Sequence, residues 1–134
     1  MELHKFEVRT PSNFENVFAA MVKQRIDAMA VLDDAMLIGN AKGIAELAAT
    51  KRLPAIGFNE FAEAGALMSY GANRLERFHR TAYFVDKILK GAKPAELPIE
   101  QSTKFELVIN RKTARALGIT LPRSILVRAD RIIE

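Results

Sequence analysis

Cysteine is absent from this sequence, which excludes disulfides, thiol nucleophiles and thiolate metal sites. The redox state of the compartment therefore leaves no trace in the residues. No apolar run approaches the length of a membrane span, and the opening residues MELHKFEVRT lack the basic start and apolar stretch of a secretory signal. No GxGxxG, GxxxxGK[ST] or GxSxG occurs, so phosphate-cradling and nucleophile-elbow chemistry have no local support. The histidines, His4 and His79, stand far apart with no acid at metal-ligand spacing. Ser69 has no base that can be nominated to activate it. Without a set of acid, base and nucleophile the chain reads as a binding protein and not an enzyme, with no cofactor and no metal.

What is present is ordinary globular composition: 134 residues, 49% hydrophobic and 27% charged, enough for one domain (residues 1–134) with a real core. The net charge of +4 raises the question of nucleic acid, and its distribution answers it. Twenty Lys and Arg are interleaved with sixteen acids, and the densest basic group, Arg74, Arg77 and Arg80, reads as the solvated face of one helix. One aromatic residue, Phe78, stands within it, fewer than a single-strand binder would want, so nucleic acid is not expected, and with no apolar run of spanning length neither is membrane insertion.

The periodicity alternates strand and helix. Leu3, Phe6 and Val8 predict a strand that TPS breaks; Ser12 and Glu15 have capping-box spacing, and Phe14, Val17, Phe18, Met21, Val22 and Ile26 follow at helical intervals. AMAVL, ended by Asp33 and Asp34, has the continuous apolar character of a central parallel strand. A helix over 41–51, the strand LPAIGF, the run ALMSY, a long helix from Asn73 to Lys90 and the strand KFELVI continue the pattern. Asn110 and Gly118 bracket a short helix, and SILVRADRII closes the chain as a strand or an extended tail. Core strands are expected to contain Met29 to Leu32, Ala55 to Phe58 and Phe105 to Ile109. The fold class is α/β, a three-layer Rossmann-like domain with a mainly parallel sheet.

Two places invite a ligand. Asp33 and Asp34 end a strand, where doubly wound folds put their sites; adjacent strand residues point to opposite faces, so one of the two can meet an ammonium group or a metal, or an Asp can simply cap the next helix. The stretch GALMSYGANRLE delivers Ser69, Tyr70 and backbone amides to a helix start at Asn73, with Glu76 three residues on. It is also how any strand meets a helix.

Several separated blocks resemble one family in order and spacing: FAAMVKQRIDAMAVLDD, IAELAATKRLPAIGFNEFAEAGALMSYGAN, VDKILKGAKPAELPIEQSTKFELVINRKTARALGITLP and the tail RADRIIE. They are similar to the C-terminal part of ABC-importer substrate-binding proteins with a type I periplasmic-binding fold, in the branch linked to aromatic amino acids and related solutes. The resemblance implies one lobe of a two-lobe protein that closes on an amino-acid-like solute and delivers it to an ABC permease. By analogy Asp33 and Asp34 are candidates for the ammonium group, Asn59 and Glu60 end the preceding strand near the same cleft, and Ser69, Tyr70 and Gly71 lie where a strand crosses towards the first lobe.

The part of the family that precedes these blocks, with its export signal and first lobe, is not among these residues. The expectation is therefore either a portion of a longer extracytoplasmic binding protein or a short relative acting as a self-associating structural or regulatory module, cytoplasmic if it is a whole gene product. A homodimer is expected through the helix Asn73 to Lys90, whose stripe of Leu75, Phe78, Ala82, Val85 and Leu89 would otherwise pack on a first lobe.

Overall fold

The computed structural model describes residues 1–134. Strands β1 (Met29–Ala30), β2 (Ala55–Gly57), β3 (Met68–Ala72), β4 (Phe105–Asn110) and β5 (Arg131–Ile133) form one sheet in that order. β1 and β2, β2 and β3, and β4 and β5 pair in parallel, whereas β3 and β4 are antiparallel, with Ser69 opposite Val108 and Tyr70 opposite Leu107. The mainly parallel α/β sheet expected from the sequence is thus present. The apolar runs at 29–32, 55–58 and 105–109 each carry one of its strands.

Helices α1 (Phe14–Lys23) and α3 (Ala41–Thr50) supply most of the core. Phe14, Phe18 and Met21 of α1 meet Ile44, Ala45 and Ala48 of α3, and these close over Val31, Ala55, Phe58 and Phe61 from the strands and the loop after β2. Each large side chain so buried contributes about 1.5–3 kcal/mol. Between them, α2 (Ala35–Gly39) starts at Asp34, whose Oδ1 accepts from the backbone amides of Met36 and Leu37 at 2.9 and 3.3 Å.

Three local expectations give way. Leu3–Val8 joins no ladder: Phe6 and Val8 pack their side chains on the core while the backbone stays outside the sheet. The Ser12 box does not form, because Pro11–Asn13 makes a turn of 3-10 helix and the Ser12 hydroxyl bonds Thr10 Oγ1 at 2.9 Å. The tail is neither one strand nor irregular; α6 (Arg123–Arg128) precedes β5, which the Asp130 carboxylate helps to dock by accepting from the Leu107 amide at 2.8 Å.

The caps at the two other helices do form. Asn110 accepts from the Thr113 amide at 3.0 Å to start α5 (Arg111–Leu117), and Gly118 ends it in the left-handed conformation at φ 73°. Asn73 accepts from the Glu76 amide at 2.8 Å to start α4 (Arg74–Leu89). Yet α4 buries none of its residues. Leu75 and Phe78 are each 67% exposed and Leu89 is 81% exposed, so no part of its apolar stripe covers the chain's own sheet.

Candidate functional site

β1, β2 and β3 run parallel, so their C-terminal ends come out on one side of the sheet, where an open α/β sheet offers a crevice. The residues that follow those ends, together with the first turns of α4, enclose a pocket of about 490 Å³. Val31, Leu32, Ile56 and Phe58 make its apolar wall; Tyr70 and Phe78 add aromatic rings. The lining is half hydrophobic and half polar, charged or glycine, a mixture that suits a small molecule with both apolar and charged parts.

The candidates from the sequence divide. Asp33, Asn59, Glu60, Tyr70 and Gly71 line this pocket. Asp34 and Ser69 do not. Asp34 is turned into its cap on α2, and Ser69 is fully buried, its hydroxyl donating to the Asn59 carbonyl at 2.7 Å. Ser69 therefore fixes the loop that carries Asn59 and Glu60.

Asn59 and Gly71 explain one another. The Asn59 amide lies across β3, Nδ2 donating to the Ala72 carbonyl at 2.6 Å, so close to Gly71 that a Cβ there would fall 2.3 Å from Asn59 Oδ1. Only glycine admits that approach. The Oδ1 itself is buried and accepts no hydrogen bond within the chain. Beneath the pocket wall Gly57 is pressed in the same way, a Cβ there falling 2.7 Å from the ring of Phe61.

The charged groups on the wall are Asp33, Glu60, Arg74 and Arg77. Arg74 Nη1 donates to Glu60 Oε1 at 2.6 Å. That hydrogen bond, with the Glu60 charge and the more distant charge of Asp33, holds the Arg74 guanidinium more firmly protonated than usual. Arg77 lines the same pocket and enters no ion pair. Sequence reasoning placed both arginines on a solvated face; their spacing of three, which puts them on one side of α4 just after the crossover, was the available signal.

The position of α4 is set at its base and along one flank. Asn73 is the pivot: its amide donates to the Lys104 carbonyl at 3.0 Å and its Nδ2 to Glu106 Oε1 at 2.6 Å. Arg80 grips Glu100 through two donors, which ties the returning connection to the helix, and the same guanidinium stacks 4.0 Å from the Tyr83 ring. Tyr70 and Phe105, facing across the β3–β4 ladder, stack at 5.5 Å between ring centres. β3 and β4 are thus paired crossing strands that send α4 out of the sheet and bring the chain back. No helix of the structure is long and apolar enough to cross a membrane.

Comparison with known proteins agrees with this geometry. The family model for ABC transporter substrate binding protein matches residues 1–133. No match is found among curated proteins. Among solved structures, a conserved domain protein from Vibrio cholerae O1 biovar El Tor is 27% identical, with a TM-score of 0.84 over 92% of this chain and 42% of its own. An ABC domain from Streptococcus pneumoniae in complex with L-tryptophan is 27% identical, with a TM-score of 0.87 over 96% of this chain and 43% of its own. A ligand-free, open substrate-binding protein with adhesive properties from Clostridium difficile shares the fold at a TM-score of 0.65 and 21% identity. The chain therefore spans less than half the length of these structures and corresponds to one lobe. A family match over all but the last residue, on a mainly parallel α/β sheet that superposes on one lobe of such proteins, makes this chain a member of the ABC transporter substrate-binding protein family, a family of non-catalytic binding proteins.

Proposed function

We propose that this chain supplies one wall of a cleft that binds a small, amino-acid-like solute for an ABC importer, the other wall being a first lobe carried elsewhere. The observation that carries the reading is the pocket at the ends of β1, β2 and β3, apolar and aromatic inside with both signs of charge on its wall. A zwitterion with an apolar side chain matches both features. Asp33 is the acid offered to the ammonium group; Asn59, Tyr70 and Gly71 shape the wall, and Asp34 and Ser69 hold its loops. The L-tryptophan bound by the Streptococcus pneumoniae relative makes an aromatic amino acid the natural probe. An ABC permease as partner and an extracytoplasmic site of action follow from the same reading. Its test is a calorimetric titration of L-tryptophan into the full 134-residue chain joined to the first lobe of that relative.

One observation favours a second reading for the chain by itself. α4 is amphipathic but wholly unburied, with Leu75, Phe78, Val85, Ile88 and Leu89 exposed. In a two-lobe protein the first lobe is there to cover such a face; in the chain alone a second copy is the occupant available. Each large side chain covered is worth about 1.5–3 kcal/mol, so a few from each copy offset the entropy of association. Light scattering of the chain at micromolar concentration is expected to give a dimeric mass. A monomeric mass refutes self-association. If the dimer forms, Phe78→Glu and Val85→Glu are expected to dissociate it, and a dimer intact in both folded variants moves the interface off α4.

A further inference from the structure

The charges on the cleft wall are not equivalent. Arg74 and Glu60 are joined by a 2.6 Å hydrogen bond and neutralise one another. Asp33 and Arg77 line the same pocket, and neither takes part in an ion pair or in a hydrogen bond made by its charged group. One acid and one guanidinium are therefore left free on a single wall. Arg77 is also one turn beyond Asn73, where the amide dipoles of the helix start favour an anion, and nothing in the fold uses its guanidinium. A planar guanidinium is the side chain best suited to grip a carboxylate through two parallel hydrogen bonds.

We propose that Arg77 anchors the carboxylate of the solute, with Asp33 taking its ammonium group, and that Arg74 is a positioning residue that occupies Glu60 so that the wall offers one acid and not two. The cleft would then select a solute carrying both charges over one carrying an amine alone. This inference deepens the proposed function and rests on it.

The experiment uses the full chain joined to the first lobe of the tryptophan-binding relative, titrated calorimetrically with L-tryptophan, with tryptamine, which lacks the carboxylate, and with indole-3-propionate, which lacks the ammonium group. The unsubstituted protein is expected to prefer L-tryptophan to tryptamine, since a hydrogen-bonded charge is worth about tenfold to a hundredfold in affinity. In Arg77→Gln, L-tryptophan binding is expected to fall by about that factor while tryptamine binding stays unchanged, so the preference disappears. Arg77→Lys, which keeps the charge without the fork, is expected to fall between the two. Arg74→Gln is expected to strengthen tryptamine binding by freeing Glu60. A tryptophan-to-tryptamine ratio in Arg77→Gln equal to that of the unsubstituted protein overturns the role of Arg77 and leaves the proposed function standing. Should Arg77→Gln lose both ligands, Arg77→Lys decides: an unchanged ratio there overturns the proposal, and a reduced one supports it. No binding of any of the three ligands by the unsubstituted protein overturns the inference and the proposed function together.

Discussion

Replacing Asp33 with alanine in the protein completed by a first lobe is expected to weaken L-tryptophan binding by about 2–5 kcal/mol. Asp33 lines the cleft and makes no ion pair on its own chain, Arg74 acting on it only at a distance, so in the closed complex the solute's ammonium would be its direct partner. Removing one member of a desolvated charged pair leaves the other unpaired, which is why the loss exceeds the worth of one surface contact. Asp34→Ala is the internal comparison. Its carboxylate already accepts from two amides of α2, so its loss is expected to lower stability by about 0.5–2 kcal/mol and to leave the affinity unchanged. Calorimetry reads the first effect and urea unfolding the second. Equal affinity in Asp33→Ala and the unsubstituted protein would return Asp33 to the status of a strand-ending turn residue.

The largest expected effect on stability is that of Phe61→Ala, about 3–5 kcal/mol. Phe61 is completely buried, stands 5.3 Å ring to ring from Phe58, and closes against Gly57 and the neighbourhood of Val31. A domain of this size has about 5–15 kcal/mol in total, so the variant would retain a small margin. Because Phe61 lies directly under Gly57 and Phe58 of the cleft wall, the loss is expected to lower affinity as well, through the shape of that wall and not through any contact with solute. Urea unfolding followed by far-UV circular dichroism measures it. A loss under about 1 kcal/mol would mean that the site collapses around the missing ring.

The features legible in the sequence were those decided locally. Continuous apolar runs between amphipathic segments gave the positions of β1, β2 and β4, and Asn73, Asn110 and Gly118 announced helix ends because a side-chain acceptor or a left-handed glycine acts within a turn. Leu3–Val8 misled because alternation reports a face and not a partner: Phe6 and Val8 do pack on the core, but the backbone finds no ladder. The α4 stripe carries the same limit without having misled. Its period showed that one face is apolar, and in the chain that face is exposed.

At the cleft, Asp33 and Tyr70 came from the rule that ligands gather at strand ends, Asn59, Glu60 and Gly71 from the family resemblance, and all five line one pocket. The rule does not say which way a side chain turns at a strand end. Asp34 and Ser69, each next to a lining residue, turned to amides and a carbonyl of their own chain. Arg74 and Arg77 were assigned to a solvated face and not to the cleft because a basic cluster on an amphipathic helix ordinarily faces water. It is the antiparallel return of β4 beside β3, invisible in a sequence separated by the whole of α4, that swings the start of this helix over the crevice.

The heat of L-tryptophan binding, measured side by side for the chain alone and for the chain joined to a first lobe, tests the central claim most directly. A lobe that supplies one wall of a two-walled cleft predicts saturable one-to-one binding by the joined protein and none at the same concentrations by the chain alone. Saturable binding by the chain alone would contradict the half-cleft, and no saturable heat from the joined protein with L-tryptophan, L-phenylalanine or L-tyrosine would contradict the amino-acid-like solute.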